Sequence, residues 1–233
     1  METLEQAVDE SGVHWMPYHV RPMEVGDVPQ VGAIEREAFP TSWPPLNLRR
    51  ELDNRWVRYL IAYTLEASRE VNPRIHTNRH GPSSQLGRWW RSFLGKPPTI
   101  SAQETRNGER IAGYVGIWFM TDEAHITSIA SQDNHRRQGV GELLLISSIE
   151  LAMLRHARVL SLEVRVSNEA AQALYEKYGF RRMGVRKRYY TDNNEDAYVM
   201  TTDVITSPSY QALFQQMKES HQQRWGQSAR IIA

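Results

Sequence analysis

Residues 135–141 read HRRQGVG and run straight into the apolar stretch ELLLISSIELAML. Two arginines and two glycines ahead of a helix suit an anion. The first N–H groups of a helix have no internal partners and carry partial positive charge. Gly139 and Gly141 let the backbone approach a ligand without a Cβ in the way. Arg136 and Arg137 add charge-assisted contacts. The stretch therefore suits a pyrophosphate. It is no P-loop, because Val140 follows Gly139, and no dinucleotide fingerprint, because Leu144 stands where a third glycine is needed. Taken alone, the turn is equally a helix N-terminus with solvated arginines.

Other residues could carry a proton or a metal. Glu163 lies in VLSLEVRV, 159–166, where Leu160, Leu162, Val164 and Val166 share one strand face and Ser161, Glu163 and Arg165 the other. It is either an ordinary polar strand position or a general base. His125, with an ordinary pKa near 6.5, is the rival base. His76 and His80 have metal-ligand spacing in HTNRH. They sit among Pro, Asn and Gly with no third ligand nearby, so no metal is expected. LGRWWRSFLG, 86–95, mixes aromatics with arginines in a way that could press on a membrane or nucleic acid. Covering the protein's own surface is the plainer expectation. RRMGVRKR, 181–188, has five basic residues in eight and reads as a solvated strand face or an aid in approaching an acidic partner.

These residues need a frame. A loose lead-in over 1–17 precedes a short strand at 19–23 and a helix through Val28, Val31, Ile34 and Phe39 that the FPTSWPP run stops. One or two helical turns follow at 46–52, then a strand at 56–65. Residues 66–109 lose periodicity and carry four prolines, which marks a partly disordered insertion. Strands at 111–120 and 124–131 form a hairpin around Asp122-Glu123. A helix from Gly139 to about His156 follows, with Leu143, Ile146, Ile149 and Met153 on one side and Leu144, Leu145 and Ala152 widening the apolar face. After the 159–166 strand, Asn168 opens a helix that Gly179 closes. Strands at 181–190 and 196–202 precede a docked tail helix carrying Tyr210, Leu213, Phe214 and Met217. The second half reads β, β, α, β, α, β, β, an α/β plan with a crossover at its centre.

Composition sets few further limits. The chain has 233 residues, 28 basic and 27 acidic side chains and no cysteine. The balance of charge gives no global case for nucleic acid or an anionic membrane. The missing cysteines exclude disulfides, thiolate nucleophiles and Cys-based zinc sites. The acidic N-terminal stretch lacks the apolar core of a signal peptide, and no apolar run approaches the ~20 residues that span a bilayer. A cytoplasmic protein is expected.

R-x-x-G-x-G between a strand and a long helix resembles the acetyl-CoA motif of the GCN5-related N-acetyltransferases, the GNAT superfamily. LEVRVSNEAAQALYEKYGF resembles that superfamily's second signature. EVRVSN, ALY, GF, R-x-x-YY, the DA-x-x-M end and AFPTSW at 38–43 together resemble the RimI branch, which acetylates protein N-termini, typically on a ribosomal protein. The likeness covers about 18–65 and 110–203. It implies the GNAT fold: a mixed, mostly antiparallel sheet, splayed between the 124–131 and 159–166 strands and flanked by helices. That domain would span 18–205, with 206–233 as a helical tail. The resemblance implies that backbone groups at Ile129, Ala130 and Ser131 hold the pantetheine arm of acetyl-CoA. It further implies that Arg136, Arg137, Gln138, Gly139, Val140, Gly141 and Glu142 wrap the pyrophosphate and that Asn168 contacts the cofactor. Glu163 would be the general base and Tyr175 the acid that protonates the thiolate. Asp196, Tyr189 and Tyr190 match positions that shape the acceptor groove. Ser131 replaces a common valine, and Gln132-Asp133-Asn134 lacks a frequent proline; neither removes a needed backbone group.

The chemistry fits a carboxylate. A neutral amine is required, and at pH 7 deprotonation costs about 1.4 kcal/mol for an α-amine and about 4.6 for a lysine. The expected partner is a protein N-terminus, without membrane or nucleic acid, and the expected state is a monomer or homodimer. Acetylation of a small, antibiotic-like amine and a weakly catalytic acyl-CoA-binding module are the competing functions.

Overall fold

The computed structural model describes residues 13–39, 47–65 and 108–232. The expected insertion up to Asn107, the HTNRH and LGRWWRSFLG stretches, and Pro40 to Trp43 of the AFPTSW segment lie outside the described residues. Seven strands form one sheet: β1 (His19–Pro22), β2 (Val57–Leu65), β3 (Glu109–Phe119), β4 (Glu123–Ser131), β5 (Val159–Arg165), β6 (Phe180–Tyr190) and β7 (Glu195–Thr202). Their order is β1-β2-β3-β4-β5-β7-β6. Only the β4–β5 pair is parallel. The helices are α1 (Val28–Ala38), α2 (Leu48–Leu52), α3 (Val140–Leu154), α4 (Glu169–Lys177) and α5 (Pro208–Trp225).

The splay has a local cause. β4 pairs with β5 only from Glu123↔Val159 to Ile126↔Leu162. The β3–β4 register slips one residue further on, where Gly116 pairs with Ser128 and Ile117 with Ile126, leaving Thr127 as the extra residue. Such a bulge bends a strand and raises its twist, so β4 leaves β5 there. Gly116 is needed at that point. A Cβ on it would lie 2.6 Å from the Tyr59 ring and about 3 Å from the Thr127 and Ser128 hydroxyls.

Two cores flank the sheet. Residues of α1 and α2 (Val31, Ile34, Leu48) pack with Tyr59, Ile61, Ile111 and Tyr114 on one side. The larger core gathers α3, α4 and α5 against Val115, Ile126, Leu160, Leu162 and Val164. The alternation expected of 159–166 therefore holds through Val164. The widened apolar face of α3 is wider still: Val140, Leu143 to Ile149, Leu151 and Ala152 are all buried, the serines at 147 and 148 included. The helix is sandwiched between the sheet and α5, so it needs apolar residues nearly all round. Its two buried serines, 147 and 148, return their hydroxyl protons to the carbonyls of Leu143 and Leu144 at 2.9 and 2.7 Å.

The lead-in also differs from expectation. His14 to Met16 pair in parallel with Gln227, through Met16 N–H to Gln227 O and Gln227 N–H to His14 O. Met16 is fully buried. Hydrogen bonding to a segment over 200 residues away in sequence leaves no local signal.

Candidate active site

The splay opens a cavity of about 570 Å³. Its walls come from the end of α1 (Glu35, Ala38, Phe39), the bulged part of β4 (Ile126 to Ile129), β5 (Leu162 to Arg165), Asn168 and Tyr175 of the α4 region, and the β6–β7 hairpin (Tyr189 to Asp192). β4 runs on to Ser131 without a β5 partner. The backbone groups of residues 127–131 that point away from β3 thus face the opening, where an extended polar chain could pair with them.

Glu163 lies in this cavity with 6% of its side chain exposed. One oxygen meets His125 Nε2 at 3.0 Å and the other meets an Arg186 guanidinium nitrogen at 3.1 Å. Burial alone would raise its pKa. The hydrogen bond from His125 and the charges of His125 and Arg186 outweigh that, so the carboxyl sits below its ordinary value. The rival base of the sequence analysis is thus its direct partner. The register explains why: His125 stands opposite Ser161, two residues before Glu163 on the same face. His125 Nδ1 lies 2.8 Å from Ser161 Oγ, and Ser161 donates its proton to Glu123.

Tyr175 lines the cavity and packs its ring on Phe180, 5.7 Å between centroids. Burial, with help from Tyr190, holds its phenol above the ordinary value, so it keeps its proton. Tyr190 is pushed up to about 12, chiefly by burial. Arg165 stacks over the Tyr190 ring at 3.9 Å and binds Asp192 and Glu195, which pins the hairpin to the cavity rim. Asp196 is outside the cavity lining; it holds Lys187 and the Arg188 amide instead. Asn168 borders the cavity, and its side-chain oxygen caps α4 by accepting from Ala171 N–H.

The glycine turn stands where expected, at the N-terminus of α3. Gly139 is its N-cap with φ +82°, and Arg137 also has a positive φ of 61°. The amides at the start of α3 have no partner within the helix. The side chains of the turn are engaged within the protein. Gln138 is spent on the turn itself, accepting from Tyr18 OH and donating to Asn134 O at 2.8 Å. The Glu142 carboxylate binds Lys177 at 2.6 Å and Tyr178 OH at 2.8 Å, so only its amide remains for an anion. Arg136 is exposed and paired with Asp133. Ile129, Ala130 and Ser131 stand on the stretch of β4 that pairs with β3 but not with β5.

Two polar groups of the cavity were absent from the sequence expectations. Glu35 Oε2 and Ser128 Oγ are buried there without a hydrogen-bond partner. Burial raises the Glu35 carboxyl to about 6. The sign follows from linkage. The folded protein holds this proton up to a higher pH than the unfolded chain, so stability falls as pH rises from the ordinary 4.5 to about 6 and stays lower above it. Glu35→Gln should therefore raise the melting temperature at pH 8 but not at pH 4. The gain should be about 1 kcal/mol, less than the whole shift would give because the group is partly solvated. Melting curves at the two pH values check this. The basic run 181–188 is exposed, as a solvated strand face should be, but the contact of Arg186 with Glu163 has no signal in the sequence. Four of that run's five basic side chains bind acids of the chain: Arg181 to Asp203, Arg182 to Glu176, Arg186 to Glu163 and Lys187 to Asp196.

A sheet splayed at its centre beside a glycine turn on a helix N-terminus suits an acyl-transfer enzyme that uses a nucleotide thioester. Known proteins agree. Residues 62–180 match the model of the acetyltransferase (GNAT) family. A Bacillus subtilis relative, provisionally named a ribosomal protein bS18-alanine N-acetyltransferase, is 36% identical over 182 residues, 78% of this chain and 92% of the relative. The Escherichia coli enzyme of that name is 39% identical over 107 residues, 45% of this chain and 72% of its own length. The crystal structure of the Escherichia coli ribosomal-protein-S18-alanine N-acetyltransferase superposes with a TM-score of 0.56 at 25% identity, covering 80% of this chain and 94% of that one. The chain belongs to the GNAT family and is an acetyl-CoA-dependent N-acetyltransferase. The GNAT family uses acetyl-CoA, and the edge of β4 beyond Ile126 leaves backbone groups open toward the cavity, where the amides of an extended co-substrate could pair. Among the described residues no cluster of His, Asp and Glu could hold a metal ion, and no helix is long and apolar enough to cross a membrane.

Proposed function

We propose that the chain acetylates the N-terminal α-amine of a protein, a ribosomal protein in the first instance, in the cytoplasm. The observation that carries this reading is the Glu163 side chain in the cavity of the splay, backed by His125 and beside a tyrosine that keeps its proton. The named activity of the Bacillus and Escherichia relatives supports the choice of acceptor.

Residues Ile129 to Ser131 would hold the pantetheine arm through their backbone. The amides of Gln138 to Glu142, with Arg137, would hold the pyrophosphate. Acetyl-CoA held so supplies an activated acetyl thioester. Glu163 is a weak base, its pKa lowered by its partners. It accepts a proton, directly or through one water, as the new N–C bond forms and the amine's protons become acidic. His125 steadies the carboxylate, and Ser161 fixes the imidazole. Tyr175 donates its phenolic proton to the departing sulfur, so each proton released by the amine is balanced by one delivered. An α-amine needs little help from the base, whereas a lysine would have to overcome about 3 kcal/mol more at neutral pH.

Short peptides beginning with alanine should gain one acetyl group at the terminus, located by fragment mass spectrometry. Modification confined to lysine side chains would count against this reading. Turnover should rise with pH through the acceptor amine's pKa of about 8.

A further inference from the structure

The family match ends at residue 180, but the chain continues into α5 and a tail that returns to the glycine turn. Trp225, the last residue of α5, lies against Gly139. A Cβ built on that glycine would stand 2.9 to 3.0 Å from three carbons of the indole. The Gly139 carbonyl accepts the α3 bond from Leu143 N–H at 2.9 Å and a second bond from His221 Nε2 at 3.3 Å. His221 is buried, so this contact is shielded from water. On the other side, Tyr18 OH donates to Gln138 and accepts from His135 Nδ1 at 2.9 Å. The tail is fastened where it leaves α5. Gln227 pairs with His14 and Met16, Ser228 donates to Tyr18 O, Arg230 forms two bonds to Glu150 on α3, and Ile231 donates to Val20 O.

We propose that the end of α5 is a clasp that sets the geometry of the pyrophosphate turn, with Trp225 and His221 as positioning residues for acetyl-CoA. This rests on the assignment of the turn as the pyrophosphate seat. A left-handed Gly139 presents the first α3 amides to an anion only while its peptide planes are held in place. The indole blocks the glycine from rotating toward it, and His221 fixes the orientation of the 139–140 peptide. The clasp therefore acts on binding of the nucleotide end of the co-substrate and leaves the Glu163 end untouched.

The test measures kinetic constants for Trp225→Ala and Trp225→Phe with acetyl-CoA and with acetylpantetheine, which lacks the pyrophosphate. Trp225→Ala should raise the KM and Kd for acetyl-CoA about tenfold, while kcat and the acceptor KM stay within about twofold. Trp225→Phe should recover most of the affinity, and kcat/KM for acetylpantetheine should be unchanged. If Trp225→Ala does not fold, His221→Phe decides. It keeps the ring volume but lacks the donor, and should weaken acetyl-CoA about threefold, with His221→Gln close to the parent. Equal losses with acetyl-CoA and acetylpantetheine would overturn the clasp, as would a lowered melting temperature with unchanged acetyl-CoA affinity. Gly139→Glu, run alongside, separates the two ideas. If it weakens acetyl-CoA and the Trp225 and His221 variants do not, the clasp alone falls; if none of them does, the seat falls too.

Discussion

Glu163→Gln is expected to lower kcat by about a hundredfold or more, the usual range for losing a general base, while Kd for acetyl-CoA changes less than about twofold. Glutamine keeps the shape and can still meet Arg186 and His125, but it cannot take a proton. Steady-state kinetics with an alanine-initiated peptide, beside calorimetry with acetyl-CoA, separates the two effects. Unchanged turnover would move the base to His125, which touches Glu163 at 3.0 Å. The same carboxylate bears on stability. Its folded pKa lies below the ordinary value, so the ionised form stabilises the fold. That contribution is complete above the unfolded pKa and is lost as pH falls through the folded one. Loss of activity between pH 8 and 6 should therefore follow the acceptor amine, not Glu163.

Gly139→Glu is expected to weaken acetyl-CoA by about a hundredfold, some 2.7 kcal/mol. Three effects add. The φ of +82° is a conformation that costs a side chain about 1–2 kcal/mol. The new Cβ meets the Trp225 indole at 2.9 Å. The carboxylate stands at a helix N-terminus that would otherwise favour the pyrophosphate. Isothermal calorimetry with acetyl-CoA, on protein shown by melting to be folded, gives the answer. Undiminished affinity would remove the pyrophosphate seat from this turn.

The sequence by itself determined the frame. Strict alternation in VLSLEVRV placed Glu163 opposite Leu162 and Val164, since period two leaves no other choice. HRRQGVG before an apolar run placed a glycine turn on a helix N-terminus, because a chain that turns there needs a left-handed residue. The motif order β, β, α, β, α, β, β was likewise legible, and so was the splay, which the family resemblance implied.

Only the tertiary structure decided how side chains are spent. Gln138 and Glu142 sit in the turn, yet Tyr18, Lys177 and Tyr178 engage their side chains across 35 residues or more. Arg186 reaches Glu163 from a strand not adjacent to β5. The sequence of α3 showed a broad apolar face, but the burial of Ser147 and Ser148 as well follows only from α5 packing on the side away from the sheet. The contacts of Trp225 with Gly139 and of Gln227 with His14 join segments far apart in the chain. Local sequence carries backbone periodicity and turn chemistry. Which partner satisfies a polar group, or what presses on a glycine, is fixed only when distant segments are packed together.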